Sequence, residues 1–471
     1  MLAAGIALSM TACGNKDYGH HEKGVANTDT SQTQFAIMGA QSALSPGYDD
    51  NVVLNQLQED AGISIEWTTM SESLAEQVNI RIAGDELPDA FMGVGFSNYD
   101  ISRYGDDGTF IDLTPYLTEE YMPNLSKILE ENPDIRSAIT MDDGYIYGLP
   151  AGERMGTAGI GAAEDFYAGF GFTNWPNDVC NDLVLRSDGT VEFMCVTDQY
   201  RQALTYFHDW YAEGLMDVEM FSQSDTQLIS KCSQGYVGVS TWWYIEELMG
   251  DYAEDYVFLP ILDGPDGTHN VTVRTGGGIN SGQLNITKAC KSPANLLKFY
   301  DMWYEPENVM QLHYGPIGTY FTGQDEDGVW LSISNEESLE KYGKGSGELK
   351  GECEVAGPKL ILSDYYQTTF RMEDRAIERL TDLYDFWMPY VDDTSTYPVD
   401  CVFTGRELDD IDWYKANFES AVSEQEGLWI KNGGPTDEEW EAYIEHLRDK
   451  CGMDKLLAVY QNAYNRYSGK E

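Results

Sequence analysis

Between Gln34 and Val94 the apolar residues change period from one segment to the next, and that alternation limits the fold more than any other feature of the sequence. Gln34–Ala40 (QFAIMGA) is a short apolar run of strand type. In Asn51–Ala61, Val53, Leu54, Leu57 and Ala61 recur at helical spacing, and Gly62 ends the segment. Ile63–Trp67 (ISIEW) alternates with period two and is β-branched, which predicts a second strand. Leu74–Ala83 predicts a second helix stopped by Gly84, and Pro88-Asp89 leads into a third strand over Ala90–Val94. A β-α-β-α-β order implies a parallel sheet covered by helices, since parallel neighbours need long crossovers. Ligands of such sheets bind outside the carboxyl ends of the strands. That rule assigns Trp67 and Tyr99, each just past a predicted strand, to the binding edge.

Later segments follow the same α/β pattern. Gln199–Ala212 reads as an amphipathic helix closed by Gly214, and Tyr236–Ser240 (YVGVS) as a strand running into Thr241-Trp242-Trp243-Tyr244. A helix over Ala294–Tyr304 starts with Ser292 as N-cap and Pro293 at its first position. Thr436-Asp437-Glu438-Glu439 is a capping box that opens a helix with Trp440, Tyr443, Ile444 and Leu447 on one face. Gly452 ends it, and Asp454–Tyr467 is the last helix. With 471 residues the chain has room for two or three domains at about 150 residues each. It holds no apolar stretch of about 18 residues that would predict a transmembrane helix.

The charge narrows the partners. Eighty Asp+Glu against 29 Lys+Arg give a formal charge of −51. Nucleic acid is excluded as a partner, because its binding draws on Lys and Arg to neutralise phosphates. Anionic ligands and anionic lipid surfaces are disfavoured by the same long-range field. Cofactor motifs are absent: there is no P-loop, since Gly276–Gly282 (GGGINSG) lacks the lysine, and there is no HExxH or GxSxG. The six histidines show no ligand spacing, and Asp325-Glu326-Asp327-Gly328 reads as an acidic turn rather than a calcium loop. No metal or cofactor is therefore expected, and with 80 acids no single carboxylate pair stands out, so no catalytic residue is named. Seven cysteines beyond Cys13 form no disulfide framework, and only Cys180 and Cys195 are close enough to close a hairpin.

At the start, Ser9-Met10-Thr11-Ala12-Cys13 follows a short apolar run and resembles a bacterial lipobox, with Met10 where that signal usually has Leu. The resemblance implies that residues 1–12 are the remnant of a signal peptide and that Cys13 carries a diacylglyceryl group. Residues 13–33 then comprise the lipidated Cys and a polar, aperiodic segment that reads as a flexible tether, with His20-His21 as solvated linker.

Four further features, in order along the chain, carry a family resemblance. They are Leu87-Pro88-Asp89-Ala90-Phe91, the run Asp143-Gly144-Tyr145-Ile146-Tyr147-Gly148-Leu149-Pro150, the Tyr/Gly-rich segment His313–Gly328 before its acidic turn, and the closing helix pair Thr436–Tyr467. Together they resemble the extracellular solute-binding proteins of carbohydrate ABC transporters, in the branch of long lipoproteins for oligosaccharide uptake. The resemblance implies an α/β, two-lobe periplasmic-binding-protein-like (type II-like) fold with a hinge and an interlobe ligand cleft. Lobe one is expected over 34–150 plus about 285–345, and lobe two over about 151–284 plus 346–471. It implies a monomer on the extracellular face of the membrane, no enzyme activity, and separate permease subunits as partners. The ligand would be a neutral oligosaccharide, which needs flat aromatic surfaces for its C–H faces and carboxylates for its hydroxyls.

Trp242 and Trp243 are the first candidates for stacking, because adjacent residues after a strand point opposite ways. Trp175 sits in the loop-like Thr173–Asn177. Trp67 belongs to either cleft or core, and Asp89 either accepts sugar hydroxyls or caps a turn. Tyr314, in the Tyr/Gly-rich segment, completes the set. Arg154 and Arg274 could bond ligand or form local salt bridges, and Trp210 and Trp440 lie on packing faces. Two other readings fit the sequence: a surface lipoprotein glycoside hydrolase working through two carboxylates, and a peptide- or amino-acid-binding receptor of the same architecture.

Overall fold

The structure is a computed structural model that describes residues 18, 21–71, 73–153, 166–172, 183–240, 242, 245–268, 279–371, 377–378, 381–390, 397–398, 401 and 403–469. Its strands are β1 (Gln34–Ala40), β2 (Ser64–Met70), β3 (Ala90–Met92), β4 (Leu149–Glu153), β5 (Leu183–Leu185), β6 (Val191–Phe193), β7 (Asn280–Ile286), β8 (Phe321–Gln324), β9 (Trp330–Ser332), β10 (Leu360–Ile361) and β11 (Phe370–Arg371). The first three helices are α1 (Val52–Ala61), α2 (Leu74–Ala83) and α3 (Asn98–Asp106). Asn51 caps α1 by accepting from the Val53 and Leu54 amides, both at 3.0 Å, and Gly62 closes it in the left-handed conformation at φ 68°.

The main sheet has the order β10-β4-β7-β3-β1-β2. β1 pairs in parallel with β2 and β3, as the alternating sequence requires. β7 runs antiparallel to both β3 and β4, and β10 is parallel to β4. All strands except β7 therefore end on one edge, at Ala40, Met70, Met92, Glu153 and Ile361. The third strand stops at Met92, two residues short of the expected Val94, where Gly93 turns to φ 65°.

One apolar cluster surrounds this sheet, with Phe35, Leu54, Leu125, Leu149, Ile286, Leu297, Trp303 and Leu360 all buried in it. A neighbouring cluster joins Val309, Phe321, Leu349, Ile361, Tyr365 and Phe370. The segment that packs on these two clusters thus runs to Phe370, some 25 residues beyond the return at 345 expected from sequence. Nothing in its local pattern marks the junction, because β10 is only two residues long and is defined by pairing with β4.

A separate cluster gathers Tyr167, Leu183, Phe193, Leu204, Phe207, Tyr397, Phe418, Trp429, Trp440, Leu447 and Tyr460. Trp440 and the partly buried Trp210 pack there, and the Thr436–Glu439 capping box is formed. The chain leaves the first core after Glu153, returns with β7 and leaves again after Arg371. The helix Gly405–Asn432 belongs to the second core but begins against α3, and its Gly405 amide donates to Asp142 Oδ2 at 2.9 Å.

Two further expectations fail. Tyr236–Ser240 is not a strand. Tyr236 is 76% exposed, its amide closes the preceding helix on Lys231, and the Val237 carbonyl accepts the Tyr256 hydroxyl, so the segment pairs with no strand among the described residues. Residues 21–33 are not a free linker. They lie on the first core, held by groups that only the tertiary fold brings near. His21 Nε2 lies 2.9 Å from the Cys290 carbonyl, and Ser292 Oγ accepts the Gln32 amide at 3.0 Å instead of capping its own helix.

Cys232, Cys290, Cys353 and Cys451 are free thiols, Cys195 is buried, and Cys180 lies outside the described residues. No helix of the described residues is long and apolar enough to cross a membrane.

One buried acid sets a pH dependence. Within the second core, Glu426 accepts the Tyr167 hydroxyl at 2.9 Å and the Tyr200 hydroxyl at 2.7 Å, with no cation among the described groups acting on it. Burial pushes its carboxyl above the usual range, against the two hydroxyls. The folded chain keeps a proton that the unfolded chain releases, so this group lowers stability as pH rises from the ordinary Glu range through the raised value. Glu426→Gln should therefore melt above the parent protein by a margin that widens from pH 5 to pH 8. A margin independent of pH, measured by calorimetry, would show that Glu426 is ionised in the folded chain.

Candidate ligand-binding edge

The carboxyl edge of the main sheet collects polar groups on an otherwise apolar frame. At the end of β1, the Tyr48 hydroxyl donates to the Ala40 carbonyl at 2.9 Å and accepts the Ala356 amide at 2.8 Å, which fixes the segment after residue 353 against the edge. Beside it, the Thr69 hydroxyl donates to Gln41 Oε1, and both residues are half-buried. β7 begins at this edge, where Ser281 Oγ donates to Asn98 Oδ1 at 2.6 Å and Asn280 is exposed.

Glu153 closes β4 and is the most structured of these groups. Its Oε1 accepts the Tyr314 hydroxyl at 2.9 Å and the Tyr366 hydroxyl, while 31% of its side chain stays open to solvent. Behind it lies a charged cluster. His313 Nε2 is 3.6 Å from Glu153 Oε2 and 3.2 Å from Lys350 Nζ, and Nδ1 is 3.3 Å from Glu354 Oε1. Lys359 Nζ reaches Glu354 Oε1 at 3.2 Å and the Val355 carbonyl at 2.5 Å.

Burial pushes His313 below its usual value, helped by Lys359 and Lys350, so the ring is neutral at pH 7. Its Nε2 then accepts from Lys350 and its Nδ1–H faces Glu354. Burial alone would raise Glu153, but its neighbours hold it below the usual range: His313 by the charge its ring takes up in acid, and the Tyr366 hydroxyl, Lys350 and the Tyr314 hydroxyl. Glu354 is also held well down, by His313 and Lys359 against its own burial. The result is an ionised acceptor at the strand end, preset by two tyrosines and balanced from behind by two lysines. Such a group offers a strong charge-assisted bond to a hydroxyl donor.

The structure scatters the residues singled out from sequence. Tyr314 reaches this edge, through Glu153, and its ring is packed among Tyr320, Phe321 and Phe370. Trp67 lies inside β2 opposite Ile37, half-buried on the first core with its ring edge-on to Tyr48 at 5.4 Å. Asp89 sits before β3, at the amino edge, and is buried. Its oxygens accept Gln32 Nε2 at 2.9 Å and the Ala36 amide at 2.8 Å, so it splices the chain entry onto β3 rather than facing a ligand. Trp242 packs on Cys232, Leu248 and Met249. Trp175, Trp243, Arg154 and Arg274 lie outside the described residues.

Glu153, Gln41 and Tyr366 escape a sequence reading. The available signal was positional: an acid closing the strand that follows the Asp143–Pro150 run.

No grouping of three or more His, Cys, Asp or Glu side chains among the described residues is placed to hold a metal. In the acidic turn, Asp325 Oδ1 accepts the Asp327 and Val329 amides and Oδ2 pairs with Arg371 Nε at 2.8 Å, so the carboxylate is already satisfied.

No protein-family profile matches the chain. The fructooligosaccharide ABC transporter substrate-binding protein FusA of Streptococcus pneumoniae serotype 4 is 28% identical over 541 aligned positions, spanning all of this chain and 98% of that protein. A solved structure of FusA with kestose superposes with a TM-score of 0.79 at 25% identity, covering 93% of this chain and all of that one. A FusA variant described as an EF-hand mutant, bound to fructo-nystose, gives 0.80 over the same coverage. The present sequence contains no D-x-[DN]-x-[DN]-G loop of EF-hand type. An HMO-binding solute-binding protein from Bifidobacterium longum infantis shares the fold at a TM-score of 0.78 and 17% identity, over 93% of this chain and 99% of its own. In sequence from end to end, and in its α/β fold, the chain is thus similar to a substrate-binding protein of an ABC transporter.

Proposed function

We propose that the chain captures a neutral oligosaccharide of fructooligosaccharide type at the cell surface and hands it to the permease of an ABC importer, leaving its covalent bonds intact. The observation that carries this reading is the match to FusA over the whole of both chains. The chemistry agrees with it: a charge of −51 repels anionic sugars, and Glu153 supplies an ionised acceptor for hydroxyls.

On this reading one lobe comprises about 34–153 plus 279–371 and the other about 166–268 plus 397–469. The ligand lies between the carboxyl edge of the first and the facing side of the second, where Trp175, Trp242 and Trp243 remain the candidates for stacking. Contacts available only when the lobes meet shift the hinge toward closure, and a change from about 1:99 to 99:1 takes about 5.5 kcal/mol of differential binding. The protein acts as a monomer on the outer face of the membrane, anchored through a lipid on Cys13.

Titration calorimetry with kestose and nystose tests the proposal. Binding should be near or below about 1 μM, roughly −8 kcal/mol, with no fructose or glucose released on long incubation. Silence with both sugars would remove the fructooligosaccharide assignment. Sugar release would instead favour the hydrolase reading.

A further inference from the structure

The geometry points to Tyr18 and residues 21–33 as a docked strap that binds the amino edge of the first lobe's sheet, opposite the edge that carries Glu153. The strap is fastened at several points along that edge. The Tyr18 hydroxyl bonds the Asp85 carboxylate in the turn before β3, and Lys288 lies 4.9 Å from the centre of the Tyr18 ring. Lys23 Nζ pairs with Asp143 at 3.0 Å and Asp106 at 3.3 Å, and sits 5.3 and 5.2 Å from the centres of the Tyr145 and Tyr147 rings.

Next, the Gly24 amide donates to Asp112 Oδ2 at 2.7 Å, and Gly24 itself is left-handed at φ 78°. The Asn27 amide donates to the Tyr116 hydroxyl at 2.7 Å, and its side chain reaches the Lys291 carbonyl at 3.0 Å. Asn295 Nδ2 then spans the Thr30 and Gln32 carbonyls at 2.9 and 3.0 Å, and Gln32 Oε1 accepts the Lys291 amide at 2.8 Å.

Most of these partners lie in the segments that feed β3 and β4 or that leave β7, with Asp106 at the end of α3 and Asn295 on the helix Pro293–Asp301 that follows β7. The strap therefore ties the entries of two strands and the exit of a third into one plate and leaves the carboxyl edge clear. Lys23 is its fastener, because it bridges α3 to the Asp143–Tyr147 turn that leads into the strand ending at Glu153.

A consequence follows for the anchored chain. If Cys13 carries the lipid, only Gly14–Asp17 separate it from the first docked residue, a reach of at most about 18 Å. The lipid then enters at the back of lobe one, and the lobe cannot wander far from the bilayer. This consequence rests on the anchoring reading, whereas the docking does not.

Hydrogen exchange on the full chain, read residue by residue, tests the strap. The amides of Gly24, Asn27 and Gln32 should exchange at least about 100-fold more slowly than a free linker. In Lys23→Ala the protection at Gly24, Asn27 and Tyr145 should fall at least about tenfold, with the helix Asp437–Cys451 unchanged. Linker-like exchange at Gly24 and Asn27 in the parent chain would overturn the strap. Unaltered protection in Lys23→Ala would overturn the role of the lysine. Mass spectrometry of membrane-extracted chain reads lipidation of Cys13 separately, so failure of the anchor and failure of the strap are distinguishable.

Discussion

Replacing Glu153 by glutamine is expected to weaken oligosaccharide binding by about 3- to 30-fold. The substitution keeps the size of the side chain and an oxygen for the Tyr314 and Tyr366 hydroxyls, but removes the charge that the surrounding groups stabilise. A hydrogen bond to an ionised partner contributes about 1.5–3 kcal/mol, against about 1 for a neutral one. Losing it also leaves Lys350 and Lys359 with one carboxylate, Glu354, between them. Tyr366→Phe should have a smaller effect, since it removes one donor to the same oxygen and leaves the charge. Calorimetry on both variants decides the matter, with circular dichroism melts confirming that they fold. If Glu153→Gln binds kestose within about twofold of the parent protein, Glu153 does not touch the ligand.

Trp303→Ala should destabilise the first lobe by about 3–5 kcal/mol. Trp303 is fully buried at the end of the helix that covers the sheet, and its ring centre lies 5.8 Å from Phe299 and 4.9 Å from Tyr300. On its other side the chain at Gly357 comes so close that an added Cβ would lie 3.0 Å from the indole and 2.8 Å from the Met92 sulfur. The ring thus fills the space between the covering helix, β3 and the segment that leads into β10. Deletion leaves a cavity that three separately anchored elements cannot close. Trp303→Phe should cost less, because the indole N–H has no hydrogen-bond partner among the described residues. Urea unfolding of the two variants measures the difference, and a loss under about 1 kcal/mol for alanine would mean that the cavity collapses. If the lobes unfold in separate steps, the shift should appear only in the step assigned to the first core.

The frame around that tryptophan was legible in the sequence wherever a segment's own periodicity decides its structure. β1, α1, β2 and α2 follow from the spacing of apolar residues and from Gly62, and the parallel pairing follows from their order. The Thr436 capping box and the helix it opens were equally local. Elements that owe their existence to a distant partner were not legible. β10 is two residues that become a strand by pairing with β4, and Tyr236–Ser240 has strand composition without a strand neighbour among the described residues.

The candidate site was harder to read for the same reason. Composition suggested aromatics and acids, and the chain has too many of both to rank. Asp89 and Glu153 are each an acid beside a strand. The direction of the strand separates them, since Asp89 precedes β3 and Glu153 ends β4, on opposite edges of one sheet. Tyr314 reaches the edge through a hydroxyl that meets Glu153 from 161 positions away. The polar segment 21–33 has no period at all, and its docking rests on single hydrogen bonds to loops more than about 60 residues distant.

The sequence by itself determined the α/β class, the parallel core of the first lobe, the terminal helix pair and the excess of negative charge, because helical and strand periods act over a few residues and charge is a sum. Only the tertiary structure decided which carboxylate stays ionised at the carboxyl edge of the main sheet, where the chain's return to that sheet ends, and that the amino-terminal segment is strapped down. Those outcomes depend on burial and on hydrogen-bond partners far apart in the chain, which no local pattern encodes.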